Sequence, residues 1–203
     1  TQSRSSAASD VYKRQGVDLA SFSAHKIGGP VGIGALWVKR GVELHPVSPG
    51  GGQQYGMRSG TQPVALACGF AAALRACVDE FDTMTARWQS WRRRVIAWCR
   101  QQPEVTVDDA PMTSPSIIHL SVAGARGTDL VMLADRDGID LSAGSACHAG
   151  VSRPSPTMLA MGRDDDAASS GLRISMGYTT TDVDIDRLLV TLPATIRKAS
   201  GAR

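Results

Sequence analysis

The sequence predicts an α/β fold, and three observations carry that expectation. A strand–turn–strand opens at Val17. A long helical stretch with an apolar stripe runs from Pro63 to about Gln101. From Val105 to Ala199, short apolar runs alternate with helix-length segments, the pattern of a compact layer of sheet and helix.

Residues 1–15 stand apart: Ser- and Ala-rich, without periodicity, they read as a non-native or disordered leader. Val17 to Phe22 is the first expected strand, and Gly32 to Lys39 the second. Gly41 to Thr61 is a long glycine-rich loop, of the kind that is either functional or disordered. Its glycines let backbone N–H groups approach an anion closely.

The helical stretch carries Leu66, Phe70, Leu74, Val78 and Phe81, then Trp88, Trp91, Val95 and Trp98, at helical spacing. A break is expected near Asp82-Thr83. Cys68, Cys77 and Cys99 read as packing residues on this stripe, which is expected to bury at least two of them. Arg92-Arg93-Arg94 reads as a solvated face or an acidic-partner surface. Beyond it, strands are expected at Val105 to Val107, Ser116 to Val122, Ile139 to Leu141 and Leu172 to Met176. Helices are expected at Thr128 to Asp137, Thr157 to Met161 and Asp182 to Ala199, the last kinked at Pro193.

The chain has 203 residues, 42% of them hydrophobic, with a net charge of +3. That charge is too mild to imply a nucleic-acid partner, and no aromatic–basic stripe supports one. No apolar run approaches the roughly 18 residues of a membrane span. The four cysteines form no CxxC pair, so neither a metal site nor a disulfide scaffold is expected. A reducing, cytoplasmic setting is the expectation.

Chemistry concentrates in three stretches. In Ser23-Ala24-His25-Lys26-Ile27-Gly28-Gly29-Pro30, a lysine stands at a strand end before a glycine turn. A desolvated lysine amine is a nucleophile toward carbonyls, and Ser23 and His25 suit a phosphate. A surface lysine beside an ordinary loop histidine is the plain alternative. In Ser142-Ala143-Gly144-Ser145-Ala146-Cys147, a thiol lies in a small-residue loop, with His148 next to it. A nucleophilic cysteine needs exposure and a lowered pKa; an incidental thiol is the alternative. The third stretch is Leu172-Arg173-Ile174-Ser175-Met176-Gly177.

Ser-x-His-Lys followed by Gly-Pro-x-Gly-Ile-Gly-Ala-Leu resembles the lysine segment of the class V aminotransferases. Gly50-Gly51-Gly52 to Arg58-Ser59-Gly60-Thr61 resembles a segment of the cysteine desulfurases within that group, and the Cys147 stretch resembles their active-site loop. The three lie in the family's order, and the resemblance covers the chain from about Gly16. It implies the C-terminal part of a fold that binds pyridoxal phosphate (PLP): a remnant of the large domain over 16–76, then a linking helix and small domain over 77–203. It implies PLP on Lys26, its phosphate on Ser23 and His25, and Thr61 reaching the phosphate of a partner subunit in a homodimer with shared active sites. Arg173 then binds the carboxylate of L-cysteine, through two parallel hydrogen bonds. Cys147 takes the sulfur as a persulfide for an acceptor protein such as an iron–sulfur scaffold, and L-alanine leaves.

Some features depart from the family pattern. The segments that stack on and hold the pyridine ring are expected before Gly16, so these 203 residues alone are expected to be inactive. Gln53-Gln54-Tyr55 and Ser155-Pro156-Thr157 also differ from the commoner forms. Two rival readings are a selenocysteine lyase or other enzyme of the group, and a non-catalytic interaction module. The Ser-x-Gly-Ser-Ala-Cys loop favours the desulfurases.

Overall fold

The structure is a computed structural model describing residues 16–108, 113–143 and 154–201. The chain divides into two units, Thr1–Phe81 and Asp82–Arg203.

In the first unit, β1 (Leu19–Ser23) pairs antiparallel with β2 (Gly34–Val38), Leu19 opposite Val38 and Ser23 opposite Gly34. A single 3-10 turn, Ala24–Ile27, follows β1 directly. Helix α1 (Val64–Asp79) starts from Pro63. Among the described residues of this unit only Ala24 is fully buried. The apolar side chains of the hairpin and helix, among them Phe22, Leu36, Val64 and Leu74, lie exposed.

The expected long helix is two helices. α1 ends at Asp79, the Glu80 N–H closes on the Ala76 carbonyl, and α2 (Phe81–Cys99) begins anew. The division between the units falls here.

The second unit is built on a four-stranded antiparallel sheet. Its order is β3 (Val105–Val107), β4 (Ile117–Val122), β6 (Gly171–Ser175), β5 (Ser142–Ala143). Alternation along β4 and β6 sends Ile118, Leu120, Leu172 and Ile174 into the core. Helix α3 (Gly127–Arg136) adds Leu130 to that core, α2 adds Trp91, Val95 and Cys99, and α6 (Asp182–Gly201) adds Leu188, Leu192 and Ile196. Trp91 also donates its indole N–H to Asp182, 2.8 Å away, so its polar atom is satisfied where the ring is buried. α6 continues through Pro193. Two short helices, α4 (Pro156–Ala160) and α5 (Asp165–Ser169), precede β6, and α5 lacks the apolar periodicity that would announce it.

Two expectations are corrected here. The strand expected at Ile139 to Leu141 forms at Ser142–Ala143. Ile139 instead closes the end of α3, donating its N–H to the Ala134 carbonyl over 2.9 Å after Gly138 turns left-handed at φ 75°. The arginine run is not a plain solvated face either. Arg94 pairs with Asp182 and Asp186 at the start of α6, and Arg92 donates to the Ser114 and Ile117 carbonyls.

Candidate active site

β1 delivers its last residues into the 3-10 turn, so Ser23, His25 and Lys26 come from one short piece of backbone. The turn is fixed from several sides. Ala24 donates to the Ile33 carbonyl at 3.1 Å, and Gly29 to the Ala24 carbonyl at 2.9 Å. Gly28 ends the turn at φ 78°, a conformation that glycine adopts without a Cβ penalty. Behind it, α1 approaches closely at Gly69: a Cβ there would lie 3.0 Å from Pro30 Cγ. Farther along α1, the Cys77 thiol donates to the Ile27 carbonyl over 3.6 Å.

Ser23 occupies the cap position of the turn in extended conformation, yet its hydroxyl makes no capping bond. His25 and Lys26 are likewise exposed. A hydroxyl, an imidazole and a primary amine are thus presented together, with no hydrogen-bond partner among the described residues. This donor set fits PLP: hydroxyl and imidazole suit the phosphate, and the amine suits the aldehyde.

Thr61 is exposed at the end of the glycine-rich loop, three residues before the first residue of α1. The loop is held by its own side chains. Gln53 folds back so that its Oε1 accepts from the Gly60 N–H at 3.3 Å, and the Gln54 amide donates to Gln62 at 3.1 Å. Ser59 donates to the Pro49 carbonyl at 3.4 Å. Gln54 and Tyr55 both take positive φ, 50° and 59°, a costly pair of conformations for side-chain-bearing residues. The glutamines at this departure from the family pattern therefore have a local function: they tie the loop.

Arg173 lies in the second unit on β6, half-buried, directly opposite His119 of β4 and Ser142 of β5. Its neighbours Leu172 and Ile174 face the core, so Arg173 projects from the other face. No hydrogen bond or ion pair engages its guanidinium among the described residues. A half-buried guanidinium with no counter-ion among the described residues suits an anion. Cys147 and His148 lie outside the described residues.

The remaining cysteines divide differently from expectation. Cys99 is buried in the core, but Cys68 and Cys77 are exposed. Among the described residues of its unit the stripe of α1 is at most half-buried, as at Leu66 and Phe70, so periodicity alone does not bury them. Burial pushes the Cys99 thiol up to about 11 from its ordinary 9.0. Partial burial and then the Glu80 carboxylate raise Cys77. A thiol whose folded pKa is raised favours the protonated folded state. Its stabilisation is intact below pH 9 and is lost as pH rises toward about 11, on the order of 2–3 kcal/mol. Chemical denaturation of the parent and of Cys99→Ala across that range is expected to show a larger alkaline loss in the parent. Alkylation at neutral pH is expected to modify Cys68 and spare Cys99 until unfolding.

The family model described as aminotransferase class-V matches residues 1–188. The chain belongs to the class V aminotransferase family. This class V chain is 39% identical over 194 residues to an IscS-like cysteine desulfurase of Mycobacterium tuberculosis, covering 94% of the chain and 49% of that protein. It is 34% identical over 184 residues to cysteine desulfurase IscS 1 of Archaeoglobus fulgidus, covering 90% and 48%. Among solved structures, a NifS-like protein superposes with TM-score 0.79 at 29% identity, covering 90% of the chain and 47% of that structure. DndA from Streptomyces lividans superposes with TM-score 0.66 at 30% identity, covering 86% and 50%. The class V chain spans about half the length of the curated relatives it matches. The α/β fold expected from the sequence is the fold of these structures, and the family's cofactor is PLP. No described helix is long and apolar enough to cross a membrane.

Proposed function

We propose that the chain is the C-terminal part of a PLP-dependent cysteine desulfurase that converts L-cysteine to L-alanine and passes the sulfur on. The observation that carries this reading is the Lys26 turn, where Ser23, His25 and Lys26 are presented together without partners among the described residues, in a family whose relatives here are desulfurases.

In this reading Ser23 and His25 bind the cofactor phosphate, and Lys26 Nζ holds the cofactor. When bound, PLP supplies the electron sink for the substrate α-carbon. Thr61 binds the phosphate in the partner subunit of a homodimer. Arg173 receives the substrate carboxylate and fixes the amino acid's orientation. Lys26 Nζ takes up the α-proton and returns a proton to carbon. The Cys147 thiolate attacks the substrate sulfur; the carbon–sulfur bond breaks, alanine leaves, and the persulfide stays on Cys147. The acceptor is a protein such as an iron–sulfur scaffold, and the setting is cytoplasmic. The apolar surface of the first unit lies open in these 203 residues, which supports reading them as inactive by themselves.

Arg173→Ala in the complete enzyme tests substrate placement. Loss of a half-buried, charge-assisted pair costs about 2 kcal/mol, which corresponds to a Michaelis constant for cysteine raised roughly thirtyfold. PLP binding is expected to persist. An unchanged constant would contradict the placement.

A further inference from the structure

On the face of the second unit's sheet opposite its core, four side chains form one row. The β3–β4 register pairs Val107 with Leu120, and the Asp108 N–H continues it onto the His119 carbonyl at 3.0 Å. His119 stands opposite Arg173, and Arg173 opposite Ser142. The row therefore reads Asp108, His119, Arg173, Ser142, with the histidine between a carboxylate and a guanidinium.

The Asp108 side chain is only 6% exposed. It accepts from His119 Nδ1 at 2.8 Å and from Ser121 Oγ at 3.2 Å, and it pairs with Arg163. The last two partners come from β4 and from the segment between α4 and α5. The imidazole lies over Gly171, where a Cβ would come within 3.0 Å of Nε2; the missing side chain at 171 makes room for the ring. Adjacent strands are about 4.8 Å apart, so the Asp108 and Arg173 backbones are separated by roughly 10 Å. A long arginine stem and a carboxylate can close that gap once nothing stands between them.

We infer that His119 is a positioning residue that keeps Arg173 available to a substrate carboxylate, by standing between it and Asp108. Arg163, Ser121 and His119 Nδ1 all engage the Asp108 carboxylate, and His119 is the one of them that stands on the strand position between Asp108 and Arg173. Asp108 is the internal competitor for the anion site, and the Arg163–Asp108–His119 network occupies it. This inference rests on the reading of Arg173 as the carboxylate-binding group.

The test pairs a cofactor-free readout with a kinetic one. In the 203-residue chain, the Arg173 Nε–Hε cross-peak, assigned with Arg173→Lys, reports on the pairing of the guanidinium. His119→Ala is expected to shift this peak to the position of a carboxylate-paired arginine, and adding Asp108→Asn is expected to return it. In the complete enzyme, His119→Ala is expected to raise the Michaelis constant for L-cysteine roughly fivefold, the scale of one partly exposed ion pair. Its kcat is expected to change by less than about twofold, and the Asp108→Asn, His119→Ala double variant to recover the constant. A merely structural role predicts the opposite, a double variant worse than the single. His119→Gln, which keeps bulk and an N–H toward Asp108, is expected to behave as the parent. Where His119→Ala does not fold, His119→Thr retains strand preference and removes the ring. An unmoved cross-peak, or a double variant without rescue, overturns the inference. If the peak moves and returns as expected while Arg173→Ala leaves the Michaelis constant unchanged, the competition by Asp108 stands and the substrate role of Arg173 fails.

Discussion

Lys26→Ala in the complete enzyme is expected to remove the visible absorbance of lysine-bound PLP and to lower turnover by at least about a thousandfold. Two losses coincide in this variant. In the proposed reading the amine that holds the cofactor disappears, and so does the group that moves the substrate proton, a function worth roughly 100- to 10,000-fold by itself. The fold should survive. Lys26 is exposed, and the turn is held by backbone bonds from Ala24 and Gly29 and by the approach of α1 at Gly69. Circular dichroism and thermal unfolding should therefore match the parent. Borohydride-reducible PLP retained on another lysine would refute the assignment.

Cys147→Ser is expected to separate two halves of the reaction. In the proposed reading, holding the cofactor and binding cysteine need Lys26, Ser23, His25 and Arg173, not a protein thiol. Only removal of the sulfur needs one, because a hydroxyl is a far weaker nucleophile toward sulfur at neutral pH. The variant should keep the cofactor spectrum and its change on adding L-cysteine, yet release neither alanine nor sulfide. Cys99→Ala should instead lower stability while sparing turnover, since the buried Cys99 fills the core of the second unit.

What the sequence disclosed was local. The Lys26 turn was legible because a strand end, a phosphate-suited Ser and His, and a left-handed glycine lie within a few consecutive residues. The longer helices were legible through their period, down to the boundaries of α3 within a residue or so, whereas the short α5 was not. Features decided by distant partners were not. β5 sits at Ser142 rather than in the more apolar Ile139 to Leu141 because its pairing with β6 begins opposite Arg173. Cys68 follows the apolar stripe of α1 and is nonetheless exposed, since burial depends on what packs against the stripe. The Asp108 network joins residues 11 and 55 positions apart, and no spacing rule connects them. In the sequence, His119 looks like any polar residue alternating with Ile118 and Leu120.

The exposed cysteines sharpen the question of which thiol carries sulfur. Cys68 and Cys77 are both open to solvent, so accessibility alone does not single out Cys147. Cys77 is the weaker rival: its thiol donates to the Ile27 carbonyl, and its raised pKa disfavours the thiolate. The measurement that decides the matter is peptide mass spectrometry of the complete enzyme after brief exposure to L-cysteine without reductant. One added sulfur on the peptide containing Cys147, accompanied by L-alanine, is the predicted result. Sulfur found on Cys68, Cys77 or Cys99 in its place, or alanine formed with Cys147 unmodified in every sample, would contradict the proposed chemistry.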